Sequence, residues 1–126
     1  MKATPELDLH LAVAETLRWF ALPGVVFFHV PNGGRMTAQR GARLKRMGVK
    51  AGVADFIILL PEGRWRVLFL ELKAPKGRLS EAQKAFSETV THIDICAYSV
   101  ANSLDQATAT LRAFGAIRSV VVGRAA

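Results

Sequence analysis

Over residues 5–20 apolar side chains recur at helical spacing, at Leu7, Leu11, Ala14 and Leu17, and Thr4-Pro5 supplies an N-cap and a first helical position ahead of them. The pattern predicts a helix that ends before Leu22-Pro23-Gly24. Residues 25–30 are β-branched and aromatic and predict a strand, closed by the turn-forming Pro31-Asn32-Gly33-Gly34. Residues 37–47 favour a short helix ended at Gly48. Two apolar runs follow, residues 53–60 and 67–74, and Pro61-Glu62-Gly63 between them predicts a hairpin. Ser80-Glu81-Ala82-Gln83 has the form of a capping box opening a helix. Residues 93–100 predict another strand. A second capping box, Ser103-Leu104-Asp105-Gln106, opens a helix to about Phe114 that Gly115 stops, and residues 120–122 predict a short last strand. The order is α, β, short α, β, β, α, β, α: an α/β domain with a mixed sheet, its hairpin in the middle and helices on its faces.

Composition narrows the class. A chain of 126 residues is long enough for one core and not for two, so a single domain over residues 1–126 is expected, and 51% hydrophobic content excludes a disordered tail. No run of about 18 apolar residues and no basic-then-apolar start is present, so neither a membrane span nor a secretory peptide is expected, and the cytoplasm is the expected compartment. The single Cys96 excludes an intramolecular disulfide and reads as a small buried hydrophobe.

A net charge of +7 points to a polyanionic partner. Its distribution adds to this. Residues 16–54 contain no acidic side chain, yet Arg35, Arg40, Arg43, Lys45, Arg46 and Lys50 fall within them. A solvated face normally mixes signs, which favours phosphate contact for this run. Asn32 and Arg35 beside Gly33-Gly34 offer donors where backbone can approach a phosphate, and Lys76, Arg78 and Lys84 extend the basic set.

The chemistry gathers in residues 52–83. Asp55 lies early in one apolar run and Glu71-Leu72-Lys73 closes the other. Strand alternation points Glu71 and Lys73 the same way, and the hairpin brings Asp55 near Glu71. Two carboxylates and a cation suit metal-ion phosphodiester hydrolysis, the carboxylates holding Mg²⁺ and the cation orienting water. The plainer alternative is a strand-terminating Asp55 and an ordinary Glu71–Lys73 ion pair. A carboxylate in so apolar a run is costly without a compensating cation, which favours the chemical reading. His29 in its apolar strand reads as a satisfied core histidine, and Glu15 as an exposed surface charge.

The segments Gly48-Val49-Lys50-Ala51-Gly52-Val53-Ala54-Asp55 and Glu71-Leu72-Lys73-Ala74-Pro75-Lys76-Gly77-Arg78-Leu79-Ser80-Glu81-Ala82-Gln83 resemble the VRR-NUC branch of the PD-(D/E)XK nuclease superfamily, in particular its small stand-alone bacterial and phage members. The resemblance extends from about residue 6 to residue 115 and includes the loop His29-Val30-Pro31-Asn32-Gly33-Gly34-Arg35. It implies a restriction-endonuclease-like αβββαβ core and a Mg²⁺- or Mn²⁺-dependent endonuclease acting on DNA. Asp55, Glu71, Glu6 and the Leu72 carbonyl are then the implied metal ligands, with Lys73 assisting the water and Gln83 beside the site. Capping alone also accounts for Gln83, and one side chain is not expected to fill both roles. The sequence departs from the family twice: Ala54 replaces the proline of its Pro-Asp pair, and His10 stands where glutamine usually follows Glu6 by one turn. Stand-alone members resemble Holliday junction resolvases, which implies branched DNA as substrate and a homodimer for paired cuts. The competing readings are a flap or non-specific nuclease, a catalytically degenerate basic nucleic-acid-binding module, and, well behind, a small-molecule phosphate binder.

Overall fold

A computed structural model describes residues 4–31 and 37–119. Its elements are α1 (Pro5–Phe20), β1 (Val26–His29), α2 (Ala38–Arg46), β2 (Phe56–Leu59), β3 (Val67–Leu72), α3 (Glu81–Thr91), β4 (Cys96–Ala101) and α4 (Leu104–Ala113). The expected last strand at residues 120–122 lies outside the described residues, as do Asn32 and Arg35.

The strands form one mixed sheet in the order β1-β2-β3-β4, antiparallel across β1/β2 and β2/β3 and parallel across β3/β4. The β2–β3 hairpin is the one that Pro61-Glu62-Gly63 predicts. Side chains alternate between the two faces of a strand, which divides the protein into two layers. Leu68, Leu70 and Leu72 of β3 join Phe56 and Ile58 of β2, Leu9, Val13 and Leu17 of α1, and Ala107 and Leu111 of α4 in the main apolar cluster. Phe69 faces the other way and meets Phe86 of α3 edge-on, with ring centroids 5.1 Å apart. Glu71 shares the face of Phe69, so the chemistry sits in the α3 layer.

Several details differ from the sequence reading. Leu9, Val13 and Leu17 form the buried stripe of α1, whereas Leu7 and Leu11 are exposed. Leu9 lies two residues, about 200°, around the helix from Leu7, so the two leucine stripes face nearly opposite ways and only one can meet the sheet. Strand β2 starts at Phe56, leaving Asp55 just ahead of it rather than inside it. Strand β3 ends at Leu72, but the Lys73 N–H still donates to the Ala101 carbonyl at 3.0 Å and carries the extended direction one residue further.

The caps explain where the helices begin. The Thr4 hydroxyl accepts from the Leu7 N–H at 3.1 Å, and Ser80 and Gln83 form a reciprocal capping box on α3. The second box is only half formed. Ser103 accepts from the Gln106 N–H, but Gln106 Oε1 accepts from the Asn102 N–H instead of returning to Ser103.

Gly52 sets how closely the loop before β2 approaches α3. Its φ is +83°, and a Cβ there would collide with the backbone of Ala82 in the first turn of α3. Substituting alanine combines left-handed strain with that collision, so Gly52→Ala is expected to cost more than about 2 kcal/mol of stability in urea denaturation.

Candidate active site

The β2–β3 register pairs Phe56 with Leu70, and one further step along it sets Asp55 opposite Glu71. The Leu72 N–H donates to Asp55 Oδ2 at 2.8 Å, turning the Asp55 carboxylate toward β3. The Asp55 carbonyl is pinned from the other side, accepting from the Val30 N–H at 2.9 Å and from His29 Nδ1 at 2.8 Å. A carbonyl only accepts, so Nδ1 carries the proton and Nε2 the lone pair.

Glu71 is the one buried charged residue among the described residues, at 2% exposure. Gln83 Nε2 donates to its Oε2 at 3.0 Å, and Lys73 Nζ lies 3.9 Å from the same oxygen. Glu71 Oε1 is buried and has no hydrogen-bond partner among the described residues. Burial first, and then the negative charge of Asp55, pushes the Glu71 carboxyl up to about 8 against the pull of Lys73. On β4, opposite Phe69, Tyr98 also has a buried hydroxyl without a partner among the described residues, and burial followed by the charges of Glu71 and Asp55 raises its pKa.

Gln83 resolves its two competing roles by taking both. Its Oε1 accepts from the Ser80 N–H at 2.8 Å to complete the cap, while its Nε2 reaches Glu71. A primary amide has an acceptor at one end and donors at the other, so the capping geometry leaves the donor end free.

A cavity of about 540 Å³ collects Glu6, His29, Asp55, Glu71, Ser80 and Gln83 on its wall. Four of the sequence-predicted residues therefore share one concavity, with Lys73 joined to it through Glu71 and Leu72 through its N–H to Asp55. Glu6, in the first turn of α1, is exposed. The carboxylates of Glu6, Asp55 and Glu71 offer oxygen ligands, and a buried carboxylate oxygen without a partner among the described residues is what a hard divalent cation completes, so these residues fit Mg²⁺ or Mn²⁺.

The basic residues stand apart from this wall. Arg40, Arg43, Lys45 and Arg46 are exposed on α2, as are Lys50, Lys76 and Arg78 in loops, and Lys84 pairs with Glu81 at 3.3 Å. Lys45 and Lys50 edge a larger cavity of about 640 Å³ between α2 and α3, lined by Leu44, Val49 and Phe86 and lacking any carboxylate. Glu15 is exposed and ion-paired with Arg18, and Cys96 is buried, both as expected.

The histidines depart from the sequence reading. His29 is exposed at the cavity instead of serving as a core residue, because it ends β1, the edge strand of the sheet. His10 stacks on Phe56 with centroids 4.6 Å apart and meets the His29 ring edge-on at 4.3 Å. Burial and then His29 lower its pKa, against Asp55 and Glu6. The signal for this cluster is the register pair His29–Phe56, one residue from Asp55.

Comparison with known proteins agrees with this architecture. The VRR-NUC domain family model matches residues 12–103. A solved structure described as a VRR_NUC domain protein is 26% identical, covers 90% of each chain and superimposes with a TM-score of 0.74. A second, described as a VRR_NUC domain, is 18% identical with a TM-score of 0.57, covering 87% of this chain and 97% of its own, and shows the same fold. Among curated proteins none matches.

Because the folded Glu71 carboxyl titrates near 8 rather than at its ordinary 4.5, the metal-free native state holds a proton that the unfolded chain has released. Its contribution is fully present below about pH 4.5 and is lost as pH rises to about 8. Chemical denaturation of metal-free protein across that window is expected to show stability falling as pH rises, a slope that Glu71→Gln flattens.

Proposed function

Since the chain belongs to the VRR-NUC domain family, a nuclease family, we propose that it is a Mg²⁺- or Mn²⁺-dependent endonuclease that cuts branched DNA in the manner of a Holliday junction resolvase. The observation that carries this reading is the buried Glu71 carboxylate with its unpartnered Oε1, set beside Asp55 and open to a cavity.

Asp55 and Glu71 would hold the cation, with Glu6 and the Leu72 carbonyl completing the protein ligands. When bound, a divalent ion supplies Lewis-acid polarisation of the scissile phosphate and lowers the pKa of the attacking water. Gln83 fixes the Glu71 carboxylate by its donor end, and the Leu72 N–H fixes Asp55. Lys73, on the same side of the extended chain as Glu71, orients the water. Glu71 gives up its proton on taking a cation, so cation affinity rises with pH toward about 8.

The exposed cations Arg40, Arg43, Lys45, Arg46, Lys50, Lys76, Arg78 and Lys84, together with Asn32 and Arg35, would contact the phosphate backbone, which fixes register without reading sequence. A domain of this size makes paired cuts in a junction only as two copies, so the working form is a homodimer. No helix among the described residues is long and apolar enough to cross a membrane.

Purified protein is expected to cut a labelled four-way junction in Mg²⁺ or Mn²⁺ but not in EDTA. Asp55→Ala and Glu71→Ala should each lower cleavage by at least roughly a hundredfold with binding retained. Symmetric nicks identify a resolvase, cuts at a flap or in linear duplex identify the broader nuclease, and binding to every substrate without a cut moves the assignment to a degenerate binding module. Replacing Arg43 and Arg46 by alanine is expected to weaken binding to all sequences alike and to reduce the slope of log affinity against log salt by about 1 per charge removed.

A further inference from the structure

His10, His29 and Asp55 each present a ligand atom, and the three atoms lie within 4.8 Å of one another. We propose that they form a second cation seat, distinct in chemistry from the all-oxygen Asp55–Glu71 pair, that takes a borderline-soft divalent ion such as Co²⁺ or Zn²⁺ in preference to Mg²⁺.

Three observations support the seat. Atoms so spaced lie at most about 2.8 Å from a common centre, so gripping an ion at about 2.0–2.1 Å requires each to move by under about 1 Å. His29 Nδ1–H is donated to a backbone carbonyl, that of Asp55 itself, the kind of hydrogen bond by which metal-bound imidazoles are held, and it keeps the Nε2 lone pair free to coordinate. His10 is held by its stack on Phe56, and a cavity of about 350 Å³ lined by Glu6, His10, His29 and Asp55 leaves room for an ion and water. Two imidazoles and one carboxylate select ions of the Mn²⁺-to-Zn²⁺ series, whereas Mg²⁺ favours oxygen ligands. The seat shares Asp55 with the carboxylate pair but rests on the geometry of its own ligands, so it stands or falls independently of the nuclease reading.

The test is titration of the full chain with Co²⁺, followed by visible absorption, and with Zn²⁺, followed by calorimetry, with circular dichroism confirming the fold of each variant. Wild type is expected to bind Co²⁺ with a ligand-field spectrum showing nitrogen coordination. His10→Gln and His29→Gln should each weaken binding by at least roughly tenfold. His92→Gln, which alters the one histidine remote from this cluster, should retain it. Unchanged Co²⁺ affinity in both folded His10→Gln and His29→Gln would overturn the proposal, as would no Co²⁺ or Zn²⁺ binding by wild type. Junction cleavage by wild type in Mg²⁺ alone reports on the nuclease reading separately.

Discussion

A carboxylate held inside the protein with too few partners is the constraint on which the candidate site depends. Glu71 is nearly fully buried, receives one amide donor and one ammonium at 3.9 Å, and has no partner for its second oxygen among the described residues. Burying an ionised carboxylate costs several kcal/mol unless it is paired and hydrogen-bonded, and the protein supplies only part of that compensation. Strand β3 is an interior strand between β2 and β4, so the Glu71 backbone cannot swing outward to solvent. Only a proton or a cation relieves the remaining cost, and the adjoining cavity gives either one access.

Asp55 solves a different problem. It is partly exposed and stands at a strand end, so its position is set by hydrogen bonds rather than by burial. Its carboxylate takes the Leu72 N–H while its carbonyl takes both Val30 and His29. Strands β1, β2 and β3 therefore meet at this one residue. The first turns of α1 and α3 bring Glu6 and Gln83 to the same cavity, and Gly52 lets the loop before β2 lie against α3 closely enough to close it.

Much of this was legible in the sequence because it rests on short-range rules. The turn at Pro61-Glu62-Gly63 makes neighbours of two apolar runs, and that alone brings Asp55 to Glu71; alternation then puts Lys73 on Glu71's side. Harder to read were the features decided by what lies across a gap. The two leucine stripes of α1 are equally apolar, and only the sheet's position selects Leu9, Val13 and Leu17. The exposure of His29 follows from the edge position of β1, which no local pattern declares. The half-formed box at Ser103 shows the same limit, since Gln106 prefers an Asn102 N–H that the motif does not include.

The double duty of Gln83 ties the folding of a helix to the chemistry of its neighbour. The same amide group that starts α3 also orients Glu71, so the helix register and the carboxylate orientation are set by one rigid plane of atoms. Few other side chains could do both. Glutamate would preserve the cap but set an acceptor against Glu71 where a donor is needed, while leucine or methionine would match its size and abandon both partners. Asparagine, one methylene shorter, would have to choose between them. A glutamine at this position thus links secondary-structure formation to site assembly, so a change that loosens one disturbs the other.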